Sequence, residues 1–271
     1  MIDLGLGPIG ATLPPTTLHV DEIDLLAHLL GIDVLPVVLD TGPRFDELSG
    51  RDAAFRDAYG TLDSAGLIEG IDEAPKVHPD LAGRLRTLAR PRAEIAVRRY
   101  GGGTIHRACL ARDEERADAG VLALRSGDTF TIQRVEGTLA EPLRHALGSV
   151  EPVHFDAVNC PTADLAAALD QITAPQGAAH LLTAVGVRAE EAAVLGPAFA
   201  DCPAFAEIVG LVHVEGGSPV MHGPVTVFDT SAGRIVGTTS VATDGIKWTS
   251  LGPGTPGRLQ QAIEALLAQI G

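Results

Sequence analysis

The sequence predicts an α+β fold of pseudo-two-fold duplicated halves, each an antiparallel meander with flanking helices, sharing a central sheet. Three observations carry this expectation. Ala93-Glu94-Ile95 recurs as Ala206-Glu207-Ile208, and a glycine pair follows each copy at Gly101-Gly102 and Gly216-Gly217. The third apolar run of each copy ends in a turn, at Ser126-Gly127-Asp128 or Thr243-Asp244-Gly245, and the fourth carries Phe130-Thr131-Ile132 or Ile246-Lys247-Trp248. Gly137-Thr138 and Gly254-Thr255 then open a closing helix. Self-similarity sustained in this order is the mark of an internal repeat. The halves divide at residues 1–150 and 151–271, and no low-complexity linker separates them, so one compact unit is expected.

Each element follows from local pattern. Leu18-His19-Val20 reads as a short strand before a helix starting near Asp21, whose stripe of Ile23, Leu26, Leu29 and Leu30 stops at Gly31. A second helix is expected over 52–64 with Gly66 as its stop, and a third from Pro79 to just before Pro91. Strand-like runs follow near 93–100, 104–111, 119–125 and 129–135, then a helix over 139–147. The second half repeats the plan. A strand-like run at 153–158 leads into helices near 162–172, 176–185 and 189–200, then a second meander. Its clearest hairpin spans 225–241 around the polar turn Asp229-Thr230-Ser231-Ala232-Gly233. Thr255-Pro256 caps the last helix, which presents Leu259, Ile263, Leu266, Leu267 and Ile270 on one face.

Charge and cysteines narrow the function. The formal net charge of −15 on 271 residues sets the whole molecule's field against nucleic acid and anionic membranes, so neither is expected as a partner. The charge is uneven. Residues 84–144 hold 12 of the 20 basic residues against 8 acidic ones, a basic island on an acidic chain. Arginines on solvated strand faces are its ordinary reading, and a patch that docks a partner is the other. Cys109, Cys160 and Cys202 are odd in number and widely spaced, which fits a reducing cytosol and no structural metal. The amino terminus lacks a basic segment followed by an apolar one, and the apolar stretch 25–39 is broken by His, Gly and Asp, so an unexported cytoplasmic protein is expected.

No motif assembles a catalytic set. Gly5-Leu6-Gly7-Pro8-Ile9-Gly10 spells a dinucleotide fingerprint, but only four residues precede it and Pro14-Pro15 blocks a following helix. Gly101-Gly102-Gly103-Thr104 lacks the lysine and helix of a phosphate loop and reads instead as a wide hairpin turn. The nine histidines form no ligand spacing. Ser231 and Asp229 are the nearest candidates for a nucleophile, yet turn hydrogen bonding accounts for both. Catalytic residues, cofactor and metal are all expected to be none.

The second meander carries a more specific signal. From Phe205-Ala206-Glu207-Ile208-Val209 through Asp229-Thr230-Ser231-Ala232-Gly233-Arg234 to Pro253-Gly254-Thr255-Pro256, it resembles the EspG family of ESX (type VII) secretion-associated proteins. Leu18-His19-Val20-Asp21-Glu22, Leu35-Pro36-Val37-Val38-Leu39 and Gly66-Leu67-Ile68 before His78-Pro79 extend the resemblance over most of the chain. It implies a cytosolic chaperone that binds PE-PPE heterodimers at the helical tip of the PPE subunit, keeps them soluble and directs them for export. It also implies that contacts come from a loop of the first meander and from the carboxy-terminal helical bundle. By position these are Arg99, Tyr100, Gly101, Gly102, Gly103 and Thr104, with Leu182, Val194, Leu195 and Phe199. Helix phase alone leaves groove and core both open for those four apolar residues. Two further readings stand beside the chaperone: a hydrolase or transferase with a pocket between the halves, and an adaptor that forms a weak homodimer.

Overall fold

A computed structural model describes residues 12–42, 44–70, 75–112 and 116–271, so Gly5 to Gly10 lie outside the described residues. The fold is mixed α and β, built on a large sheet of ten strands whose described ladders are antiparallel. The chain divides into two compact units, Met1–Glu94 with Arg107–Gly137, and Ile95–His106 with Thr138–Gly271.

The first unit opens with β1 (Thr16–His19), α1 (Val20–Leu30) and α2 (Leu48–Ser64). The Glu22 carboxylate accepts the His19 N–H at 2.6 Å at the start of α1, and Gly31 ends it at φ +63°. α2 begins four residues before its expected start, because its first turn, with Leu48 exposed, carries no buried apolar period. The sequence expectation missed a two-stranded ribbon of β2 (Ile68–Glu69) and β3 (Lys76–Val77), too short for alternation to register. Next comes α3 (Pro79–Ala89), which packs Leu81, Leu85 and Leu88 into the core against β6 (Ala119–Ser126) and β7 (Thr129–Glu136). β5 (Thr104–Arg112), β6, β7 and β1 are successive neighbours in the sheet, with Leu18 opposite Phe130. Arg84 of α3 is fully buried; it ion-pairs with Asp80 at 2.7 Å and donates to the carbonyls of Ile132, Pro14 and Leu13.

The second unit contains most of β4 (Ala93–Gly101), which neighbours β9 (Ala204–Val212), followed across the sheet by β10 (Val220–Thr230), β11 (Gly233–Val241), β12 (Lys247–Pro253) and β8 (Val158–Pro161). The strand expected at 153–158 is corrected: the ladder on β12 starts only at Val158, and upstream there is a single bridge from Pro152 to Arg234. There, among the described residues, the backbone is held by Arg234 alone, which accepts from the Val153 N–H at 3.1 Å and donates to the Glu151 carbonyl at 2.7 Å, so no ladder forms before Val158. α5 (Thr162–Gln171), α6 (Ala178–Ala184) and α7 (Ala189–Ala200) form a bundle whose Leu165, Leu182 and Leu195 meet Ile235 and Leu251 of the sheet in one core. α4 (Ala140–Ala146) and α8 (Pro256–Gln269) pack on each other, and α8 also lies on β9, β10 and β11. Gly210 lets α8 approach the sheet, since a Cβ there would fall 2.6 Å from Ile270 Cγ2.

Candidate functional site

All ten residues marked by the sequence fall in the second unit. The turn comes first. β4 and β5 are joined by Gly102 and Gly103 alone, with φ of +60° and +75°, so the expected wide turn is corrected to a tight two-residue one. Positive φ at both central positions suits the right-handed twist of a hairpin, which is why two glycines stand there. Thr104 closes the turn by donating its hydroxyl to the Gly101 carbonyl at 3.1 Å. Gly101 has a different reason to be glycine. A Cβ at that position would sit 2.7 Å from the Ala204 Cβ, so the turn lies directly against the start of β9.

That approach fixes the two side chains before the turn, which point to opposite faces because strand residues alternate. Arg99 reaches the Asp229 carboxylate, Nη2 to Oδ2 at 3.2 Å. Asp229 also holds the buried Arg234 through Nε at 2.6 Å and Nη2 at 3.0 Å, and Arg234 donates onward to the carbonyls of Leu147 and Gly148. The Arg99 guanidinium is therefore tethered to a rigid node. On the other face, Tyr100 stacks on Phe205 with ring centroids 4.7 Å apart and planes 17° from parallel. Phe205 is paired across the ladder with Phe228, and Phe228 meets Phe199 of α7 edge-on at 5.2 Å. Four aromatic residues thus run from the hairpin to the end of the helical bundle. Such contacts add about 0.5–1.5 kcal/mol each beyond the area they bury.

The four helical candidates separate by exposure. Leu182 and Leu195 are fully buried in the bundle core, and Phe199 is half-buried against it. Val194 is the one that faces outward, 40% exposed. Phe205 and Phe228 were absent from the sequence-derived set; their signal was the cross-strand register, which local pattern does not contain. Phe205 keeps 39% of its surface exposed although it is stacked, so it presents an apolar face beside the turn.

A second exposed apolar group lies at the opposite end of these strands. Val214, Val220 and Met221 flank the turn between β9 and β10, and Val241, Ile246 and Trp248 flank that between β11 and β12. Two hairpin tips therefore carry apolar side chains at one end of the sheet. The described thiols do not resemble activated nucleophiles. Burial raises the Cys202 thiol, with the Asp229 and Asp201 charges adding to it against the Ala204 carbonyl bond, and burial beside Glu94 raises Cys109 further.

Known proteins match this chain along most of its length. A family model described as the EspG family matches residues 19–265. The ESX-3 secretion-associated protein EspG3 of Mycolicibacterium smegmatis is 28% identical over 258 residues, covering 93% of this chain and 86% of the relative. EspG3 of Mycobacterium tuberculosis is 24% identical over 276 residues, covering 95% and 92%. A solved structure of the Mycobacterium tuberculosis type VII secretion system chaperone EspG5, in complex with a PE25-PPE41 dimer, superposes with a TM-score of 0.71 at 21% identity, covering 95% of this chain and 97% of that one. At that identity the structural likeness speaks for the fold, while the family match reaches from the start of α1 into α8. Sequence similarity that runs from the start of α1 into α8 decides the family: the chain belongs to the EspG family.

Proposed function

We propose that this protein is a cytosolic, non-enzymatic chaperone of a type VII (ESX) secretion system. It binds a PE-PPE heterodimer through the helical tip of the PPE subunit, keeps it soluble and directs it for export. The observation that carries the reading is membership of the EspG family over residues 19–265, a family in which a relative of the same fold is a chaperone in complex with a PE-PPE dimer. The binding face consists of the β4–β5 turn at 101–104 with Arg99 and Tyr100, and of α7 at Val194. Leu182, Leu195 and Phe199 support that helix from beneath. The half-exposed ring of Phe205 lies beside the turn, and this mix of aromatic surface and a tethered arginine suits a helical tip whose apolar side chains must be shielded from water.

The fold is the product of a duplication with halves 1–150 and 151–271. Supporting this, each half runs from a lead strand through three α-helices to four strands and a closing helix, the first half inserting the β2–β3 ribbon before its third helix, and each lead strand pairs with the fourth strand of its own meander, β1 with β7 and β8 with β12. The test of the binding face is co-expression with a genomically adjacent PE-PPE pair followed by size exclusion. The parent should co-elute with the pair, and Y100A/F205S should lose it while remaining folded. M221D/W248A, at the far end of the strands, should keep it. Loss in the second variant alone would move the site to that end, and no complex with any adjacent pair would defeat the chaperone reading.

A further inference from the structure

The basic island divides in two once side chains are in view. Most of its arginines are engaged by the chain itself: Arg84 and Arg134 by Asp80, Arg99 by Asp229, and Arg125 by the carbonyls of Leu39 and Asp40. Arg86, Arg90 and Arg92 are different. All three are exposed, and among the described residues their side chains make no hydrogen bond or ion pair. Arg86 lies in the last turn of α3 and Arg90 caps that helix, its N–H bonded to the Arg86 carbonyl. Both line a hollow of about 340 Å³ whose other wall is Leu30, Ile32 and Val34, the segment leaving α1. Val34 is 66% exposed there. Asp33 is the one carboxylate on the wall.

We infer that this hollow docks an acidic peptide segment carrying an aliphatic side chain, presented by a partner protein. The aliphatic group would fill the space against Leu30, Ile32 and Val34, and flanking carboxylates would meet the paired guanidinium forks, whose geometry suits bidentate recognition. The setting sharpens the selection. On a chain of net charge −15 an acidic partner is repelled from most of the surface, and screening over roughly 8–10 Å makes Arg86 and Arg90 a local exception. Nucleic acid fits poorly, because the hollow offers no aromatic platform for a base and few cations for a phosphate backbone. The site belongs to the first unit and does not depend on the PE-PPE reading.

The experiment is fluorescence anisotropy of the full chain with a short labelled peptide of Asp and Glu around one Leu. Saturable binding is expected. Control peptides with Gln and Asn for the acids, or Ser for the Leu, should bind at least about tenfold more weakly, as should R86E/R90E and V34D at unchanged melting temperature. Shortening the screening length from about 10 Å to about 3 Å with salt should weaken the complex. PE-PPE co-elution should be unaffected in R86E/R90E, which keeps the two proposals separable. The inference is overturned by absence of saturable binding, by equal binding of the Leu-free peptide or of a single-stranded oligonucleotide, or by R86E/R90E binding like the parent.

Discussion

Replacing Asp229 by alanine strips the carboxylate from a buried arginine. The Arg234 side chain is 4% exposed and shares both oxygens of Asp229, itself 10% exposed. Removing one partner of such a pair costs about 3–5 kcal/mol, most of it the stranded charge. Here Arg234 keeps its bonds to the Leu147 and Gly148 carbonyls at 2.8 and 2.9 Å, so the lower end, about 3 kcal/mol, is expected. Arg99, 29% exposed, contributes less than about 1 kcal/mol from the same carboxylate. Asp229→Ala should therefore lower the melting temperature by about 6–12 °C, and Arg99→Ala by under about 4 °C. The sole tryptophan, Trp248, lies on β12 of the same unit, so its fluorescence through urea unfolding reads the right part of the molecule. D229L/R234M separates the causes. With no charge left to strand, it should be more stable than Asp229→Ala. A double variant as unstable as the single, or an Arg99→Ala loss equal to that of Asp229→Ala, would refute the stranded-charge argument.

Other consequences can be checked with the same material. Gly102→Ala should cost about 1 kcal/mol in urea unfolding, because the site is sterically open and only the positive φ is strained. Gly101→Val should cost more, about 1–3 kcal/mol, since its Cβ meets Ala204. For Asp80, burial pushes the carboxyl up, but the bonds from Arg134 and the Leu13 amide, with the Arg84 charge, carry it below its ordinary value of 3.8. A carboxylate depressed on folding contributes fully above its unfolded value and loses that contribution as pH falls through the folded one. The first unit should thus weaken below about pH 4, and Asp80→Asn should flatten that acid limb in circular dichroism. Maleimide labelling of the native protein at neutral pH should be slow and confined to Cys202, the half-buried thiol; modification of Cys109 before unfolding would contradict its burial.

What the sequence made legible was local. Gly31, Pro79, Thr255 and the turn at 231–232 mark element ends by conformation and capping alone, and the structure has α1, α3, α8 and the β10–β11 hairpin where those residues put them. The meander strands were legible too, as apolar runs bounded by turn residues, some buried on one face like β7 and others on both like β6. The illegible parts depend on what lies across the sheet or beneath a helix. Arg84 looked like one more solvated arginine, yet it is a buried anchor for three carbonyls and a carboxylate. Leu182 and Val194 looked alike on paper. Only the packing of α6 on α7, where a Cβ on Gly196 would come within 2.6 Å of the Ala179 nitrogen, turns one inward and leaves the other exposed.

The proposed binding face draws on residues that lie far apart in the sequence. Tyr100, Phe199, Phe205 and Phe228 come from three strands and a helix, and the Tyr100–Phe205 stack forms where the bare backbone of Gly101 lies against Ala204. Exposure then assigns different tasks within the run. Phe199 packs on the core cluster, so Phe199→Ala should destabilise the second unit by about 3 kcal/mol or more through the space it vacates. Phe205 is 39% exposed, so its ring gains from burial and from its stack on Tyr100 but less than a core ring does. Phe205→Ser should therefore cost about 1–2 kcal/mol in Trp248-monitored unfolding, less than Phe199→Ala, while weakening PE-PPE binding by about tenfold or more, the scale of an interfacial aromatic anchor. If Phe205→Ser unfolds the unit as Phe199→Ala does, the ring is part of the core. If it changes neither stability nor binding, the partner does not touch this face.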